Sequence, residues 1–195
     1  MSKTALQHLI PSKTRRKILE LFFRHPTEQY HLRRIARELD EQINAVAREV
    51  EILEKAKVIH KEKKLNKTLF TIREDCPIYE ELLRLILKDE DLAEELRFQL
   101  PKLGKISYIV FSRALAKRQP IKEQEVYIMI IGKVVVPEVD GIISANRNKF
   151  PFELNYTVMT EEEFAFRKKN NDPFIWTFLR APKIVIVGDE ADLMK

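Results

Sequence analysis

Between residues 32 and 72 the spacing of apolar residues changes period, from the three-and-four step of a helix to the two-step of strands. Leu32, Ile35, Ala36 and Leu39 fall on one helical stripe, and Asp40 follows as a turn or cap. The next segment directs Ile43, Val46, Val50 and Leu53 inward. That leaves Gln42, Asn44, Ala45, Arg48 and Glu49 near its exposed N-terminal half. After Val58 and Ile59, the stretch from His60 to Thr71 carries Lys61, Lys63, Lys64 and Lys67. It turns at Asn66, a residue that tolerates left-handed backbone. Helix, glycine-free turn, helix and basic hairpin, in that order, predict a winged helix-turn-helix.

The side chains on that frame suit a duplex. Gln42 and Asn44 offer two-pronged amides for adenine, Arg48 a fork for guanine, and Ala45 a surface for a thymine methyl. These four are the expected base readers in the major groove. Lys61, Lys63, Lys64 and Lys67 are expected on phosphate or the adjacent minor groove, with Lys13, Arg33 and Arg34 adding backbone contacts. The charge pattern agrees. Residues 1–73 hold 17 Lys and Arg against 9 Asp and Glu, a net of +8, and the rest hold 18 against 21, a net of −3. A basic excess confined to one segment is the footprint that phosphate contact requires. Double-stranded DNA is therefore the expected partner.

Proline and glycine divide the chain. All four glycines lie beyond residue 100, so no glycine-rich phosphate loop exists in the N-terminal part. Pro11 and Ser12 precede a helix bearing Ile18, Leu19, Leu21, Phe22 and Phe23 that ends before His25 and Pro26. Residues 27–30 read as a short strand. Pro77 opens a helix whose stripe of Ile78, Leu82, Leu85, Ile86, Leu92 and Leu96 reaches Pro101. Short apolar strands follow at 106–111, 126–131, 154–159 and 184–187, interleaved with helices at 138–149, 160–169 and 174–179. Thr160 and Glu163 form a capping box, and Trp176 is expected to fill a core. The resulting expectation is a mixed α+β chain. It comprises a winged-helix domain at 1–76, a helical linker at 77–103 and an α/β domain at 104–195. A homodimer paired through the linker helix would read a palindrome with half-sites about one helical turn apart.

Residues 11–73 resemble the winged-helix domain of arsenic-repressor-type transcriptional regulators, and residues 104–192 resemble the minimal nucleotidyltransferase domain fused behind it in microbial regulators. The resemblance is carried by Ser12-Lys-Thr-Arg-Arg-Lys-Ile-Leu-Glu-Leu-Phe, His31-Leu-Arg-Arg-Ile-Ala-Arg-Glu-Leu and Val46-Ala-Arg-Glu-Val-Glu-Ile-Leu-Glu-Lys-Ala. In the C-terminal part it is carried by Asp172-Pro-Phe and Ala181-Pro-Lys-Ile-Val-Ile-Val-Gly-Asp-Glu. An active transferase of that type is expected to carry Gly-Ser after its first strand and Asp-x-Asp on its second. Phe111-Ser112 and Glu125-Val126-Tyr127 stand there instead, and Asn155, with Glu153 just before it, stands at the third acidic position. The resemblance thus implies a regulator with a degenerate, non-enzymatic transferase domain that serves dimerisation, effector sensing or protein contact. Two alternatives remain. One is an active transferase with an atypical site at Glu125 and Glu123; the other is a winged helix that docks on protein.

Other chemistry lacks a signature. His8, His25, His31 and His60 are scattered without metal-ligand spacing, and no nucleophile motif accompanies them. No catalytic residue, metal or cofactor is expected. Cys76, the single cysteine, sits between Asp75 and Pro77 as a structural residue suited to a reducing compartment. With no long apolar run and no signal-like order at the N-terminus, a cytoplasmic protein without membrane contact is the expectation.

Overall fold

A computed structural model describes residues 4–195 and divides them into two compact units, which meet between Asp89 and Glu90. Residues 1–3 of the expected 1–76 domain lie outside the described residues. The architecture is mixed α/β with two sheets. Among the described residues no helix is long and apolar enough to cross a membrane.

The first unit begins with α1 (Ala5–Leu9), which the sequence did not announce, and α2 (Lys13–Arg24). Ser12 caps α2 by accepting a hydrogen bond from the Arg15 amide at 3.2 Å, satisfying one otherwise orphaned donor. Helices α3 (Leu32–Leu39) and α4 (Ile43–Lys55) form the helix-turn-helix. Asp40 takes the left-handed conformation (φ 50°) at the turn, a place usually given to glycine. Strands β1 (Ile59–Lys64) and β2 (Lys67–Ile72) pair antiparallel to make the wing. The strand expected at 27–30 shrinks to one bridge, in which Tyr30 exchanges backbone hydrogen bonds with Phe70. Ile18, Phe22, Tyr30, Ile35, Val46 and Val50 close the core, with the Phe22 and Tyr30 rings edge to face at 5.1 Å.

Three expectations in this unit need correction. Ile43, expected inside, is 42% exposed, because it opens α4 while the buried stripe starts one turn later at Val46. The left-handed wing residue is Leu65 (φ 52°), not Asn66, because Lys64 pairs with Lys67 and the loop holds only these two residues. The expected linker helix is broken. Its first part, α5 (Tyr79–Lys88), buries Tyr79, Leu83 and Leu87, while Ile78 and Leu85 of the expected stripe are exposed. The i, i+4, i+8 spacing of the buried three wins because Tyr79 packs on Phe23 of α2, their rings 5.0 Å apart.

The second unit opens with α6 (Asp91–Phe98) and α7 (Leu100–Leu103). Residues at the break are claimed by this unit: Glu90 pairs with Arg118, and Asp91 with Lys149 at 2.7 Å. A helix continuous through this point would forfeit those pairs. Four strands follow: β3 (Gly104–Ser112), β4 (Ile128–Val134), β5 (Tyr156–Met159) and β6 (Lys183–Val187), in the order β5-β4-β3-β6. Only β4 and β5 run parallel. The helices are α8 (Arg113–Ala116), α9 (Val136–Asn146), α10 (Glu161–Lys169), α11 (Pro173–Arg180) and α12 (Glu190–Met194). Val110, Met129, Ile131, Ile175 and Leu179 belong to the core between sheet and helices, with Trp176 packed partly against it. Where β3 meets β4, a Cβ on Gly132 would stand 2.3 Å from the Lys105 carbonyl oxygen, so this position admits only glycine.

Candidate nucleic-acid interface

Helix α4 owes its orientation to its neighbours. Val46, Val50 and Leu53 are buried, and α4 is tied to α2 through Glu49. The Glu49 carboxylate accepts from the Ser12 hydroxyl at 2.7 Å and from Arg15 Nε at 2.7 Å. Glu49, read from sequence as part of the exposed half, is therefore spent inside the unit. Glu41, at the turn, accepts from Lys17 Nζ at 2.7 Å and from the Thr14 hydroxyl at 3.1 Å. The Lys17 hydrogen bond holds its carboxyl below the usual range.

With that face anchored, the other is presented to solvent. Gln42, Asn44 and Arg48 are exposed, and Ala45 is half-buried. Gln42 is the N-cap residue of α4, yet its side chain makes no capping hydrogen bond. Asn44 and Arg48 stand one helical turn apart on one stripe. Ile43, which immediately precedes Asn44, adds an exposed apolar side chain that the periodicity had assigned to the core. Its signal was present in the sequence, since a branched residue next to an N-cap belongs to the first turn, where burial is incomplete.

The wing brings the four expected lysines to one hairpin but onto two faces. Lys61 and Lys63 share the face of Ile59 and Phe70; Lys64 and Lys67 lie directly opposite each other on the other. All four are exposed. Lys61 lies 3.9 Å from Glu54 and Lys64 3.1 Å from Glu62, pairings that offset only part of the charge. Like charges placed opposite each other across a ladder repel. Leu65 at the tip is fully exposed.

The three remaining cations differ in availability. Lys13 and Arg33 are exposed on the first turns of α2 and α3. Arg34 is engaged: it pairs with Glu28, with Glu38 at 2.6 Å, and lies over the Tyr30 ring at 4.4 Å. Its first role is to clamp the start of α3, where His31 Nδ1 also accepts from the Arg34 amide at 3.1 Å.

In the second unit the residues at the expected transferase positions do not converge as metal ligands. The Ser112 hydroxyl caps α8 by accepting from the Leu115 amide at 3.3 Å. Tyr127 is buried and stacks on Phe152 at 4.3 Å, its hydroxyl donating to the Gln119 carbonyl at 3.0 Å. The Asn155 side-chain oxygen accepts from the Tyr127 amide at 3.1 Å and its amide donates to the Glu125 carbonyl at 2.9 Å. Glu153 pairs with Arg147. Glu123 is exposed. Among the described residues no three His, Cys, Asp or Glu side chains gather as a potential metal site.

No protein-family model matches the chain, and no curated protein matches it. Among solved structures, it is similar to the adhesin competence repressor AdcR of Streptococcus pyogenes at 22% identity and a TM-score of 0.37, covering 49% of this chain and 72% of that one. It is also similar to a possible transcriptional regulator from Methanosarcina mazei Go1, at 14% identity and a TM-score of 0.36, with coverages of 52% and 90%. A mutant of Lactococcus lactis ZitR in the apo form shows 20% identity and a TM-score of 0.36, with coverages of 48% and 73%. Likeness of this degree transfers no residue role to the chain.

Proposed function

We propose that the protein is a sequence-directed DNA-binding transcriptional regulator that reads the major groove with α4 and steadies itself on phosphate with the wing. The observation that carries this reading is the exposed first half of α4. There Gln42, Asn44 and Arg48 project from a helix whose opposite side is fixed by Glu49, Val46 and Val50. A recognition helix needs that division, because base contacts are made only by side chains not already committed within the protein. Ile43 joins the set as an apolar contact suited to a thymine methyl. Lys63, Lys64 and Lys67, with Lys13 and Arg33, supply phosphate contacts. Selection from random duplexes with a salt titration tests the proposal. An enriched site whose affinity falls steeply with salt is expected, and a palindromic one would report a homodimer. Weak, salt-independent binding without enrichment would sink it.

For the second unit we propose a non-catalytic role, as a transferase-like domain that has lost its chemistry. Support comes from Asn155, whose amide is spent on the backbone of residues 125 and 127, and from Tyr127, which is a core residue rather than a metal ligand. Labelled nucleotide transfer with magnesium or manganese is expected to give no product. Transfer abolished by Glu125→Gln would reverse the assignment.

A further inference from the structure

We infer that Leu65 is a wedge: from the tip of the wing it enters the minor groove and unstacks one base step, so that the protein bends the duplex it binds. The inference rests on the DNA-binding reading above and adds to it the deformability of the site. Leu65 is 102% exposed, so it buries none of its apolar surface within the protein. An exposed leucine alone is ordinary. This one, however, also holds a φ of 52°, a left-handed conformation that leucine adopts at a cost and asparagine adopts more readily. Asn66 stands next in the chain, yet the two-residue loop between Lys64 and Lys67 gives the strained place to the leucine. A strained residue that gains nothing from packing is the kind of outlier found at binding and switch sites.

The surroundings of Leu65 specify a polyanion as its partner. Lys63, Lys64 and Lys67 flank it, and all three are exposed. Glu62 is the single acid in the sequence of the hairpin, and its 3.1 Å contact with Lys64 is an exposed pair that yields to phosphate at little cost. Lysines around an apolar residue also suit an anionic lipid surface, but one leucine holds a membrane only weakly. Helix α4 of the same unit favours the duplex, because its exposed Gln42, Asn44 and Arg48 are groups for base edges. The minor groove of B-DNA is about 6 Å wide. That excludes a pair of strands whose backbones stand about 4.8 Å apart before side chains are counted, so the tip alone enters. Leucine has no side-chain donor or acceptor with which to read a base edge. Its action there is steric: inserted between two base pairs, it kinks the duplex toward the major groove. The kink costs least at a pyrimidine–purine step, so the protein selects such a step by deformation, without a hydrogen bond to it.

The test uses the full chain and the duplex enriched by selection, with donor and acceptor dyes at its ends or with 2-aminopurine at successive positions. The unaltered protein is expected to bring the ends closer, as for a bend of about 20–90°, and to brighten 2-aminopurine at one step. Leu65→Asn, which relieves the turn and keeps every lysine, is expected to lose both signals. Leu65→Phe, another apolar wedge, keeps them. Substituting GC for the unstacked step is expected to weaken the unaltered protein about tenfold, the order of one altered base pair, and to leave Leu65→Asn indifferent. A straight duplex in the complex, or a bend that survives Leu65→Asn, would overturn the wedge and leave the DNA reading standing. A chain that enriches no duplex overturns both.

Discussion

At the scale of single residues, Arg48 and Lys64 make opposite predictions. Arg48 is exposed on the reading face of α4, so Arg48→Ala is expected to cost about 1–3 kcal/mol at one base pair and relax preference there. Lys64 has no view of base edges in this scheme. Lys64→Ala is expected to weaken binding to every duplex alike and to reduce the salt slope by about one. Competition binding on the selected site and on single-base variants separates the two. Leu65 bears on stability. Its φ of 52° is a conformation that costs a branched side chain about 1–2 kcal/mol and that asparagine tolerates. Leu65→Asn is therefore expected to raise the midpoint of thermal unfolding of the first unit, and a lowered midpoint would show that the leucine is held by something other than its turn.

At the scale of elements, the fastening of α2 to the turn between α3 and α4 is titratable. Glu41 in the folded protein loses its proton below its ordinary value of 4.5, chiefly because Lys17 donates to it. A carboxylate depressed on folding contributes stability that is complete above its unfolded value and is lost as pH falls through the folded one. Glu41→Gln is accordingly expected to lower stability at neutral pH and to flatten the acid limb of the stability curve below about pH 5, read by denaturant midpoints across pH. In the second sheet, Gly132→Ala forces a Cβ against the Lys105 carbonyl and is expected to destabilise the unit by about 2 kcal/mol or more, measured by denaturant unfolding. The elements themselves were largely legible in sequence. Helix α2 runs from its Ser12 cap to the residue before His25, and α10 follows Thr160, whose hydroxyl accepts from the Glu163 amide at 3.1 Å as one half of the expected capping box, while the Glu163 carboxylate pairs with Arg167 at 2.7 Å. Periodicity failed for α5, where two interleaved stripes were apolar and only the packing of Tyr79 on Phe23 chose between them.

For the whole molecule, the sequence identified a basic first part and an acidic remainder, and the units divide near that boundary. Within the expected linker, the apolar stripe from Ile78 to Leu96 is crossed by Lys88, Asp89, Glu90 and Asp91, and the partners that hold Glu90 and Asp91 lie at Arg118 and Lys149, far along the chain. The expected transferase positions were equally hard to judge: Tyr127 as a core residue depends on Phe152 and Gln119, contacts that no local pattern encodes. The candidate site was more legible, since exposure of Gln42, Asn44 and Arg48 follows from helical period alone; the commitment of Arg34 and Glu49 does not. The pairing of Lys64 with Lys67 across the hairpin also has a dynamic consequence. Their repulsion favours opening of the tip, and a polyanion removes that repulsion without adding any protein contact. Amide hydrogens of the wing should therefore exchange with solvent fastest in the free protein at low salt, and slow down when a duplex, or simply more salt, is supplied.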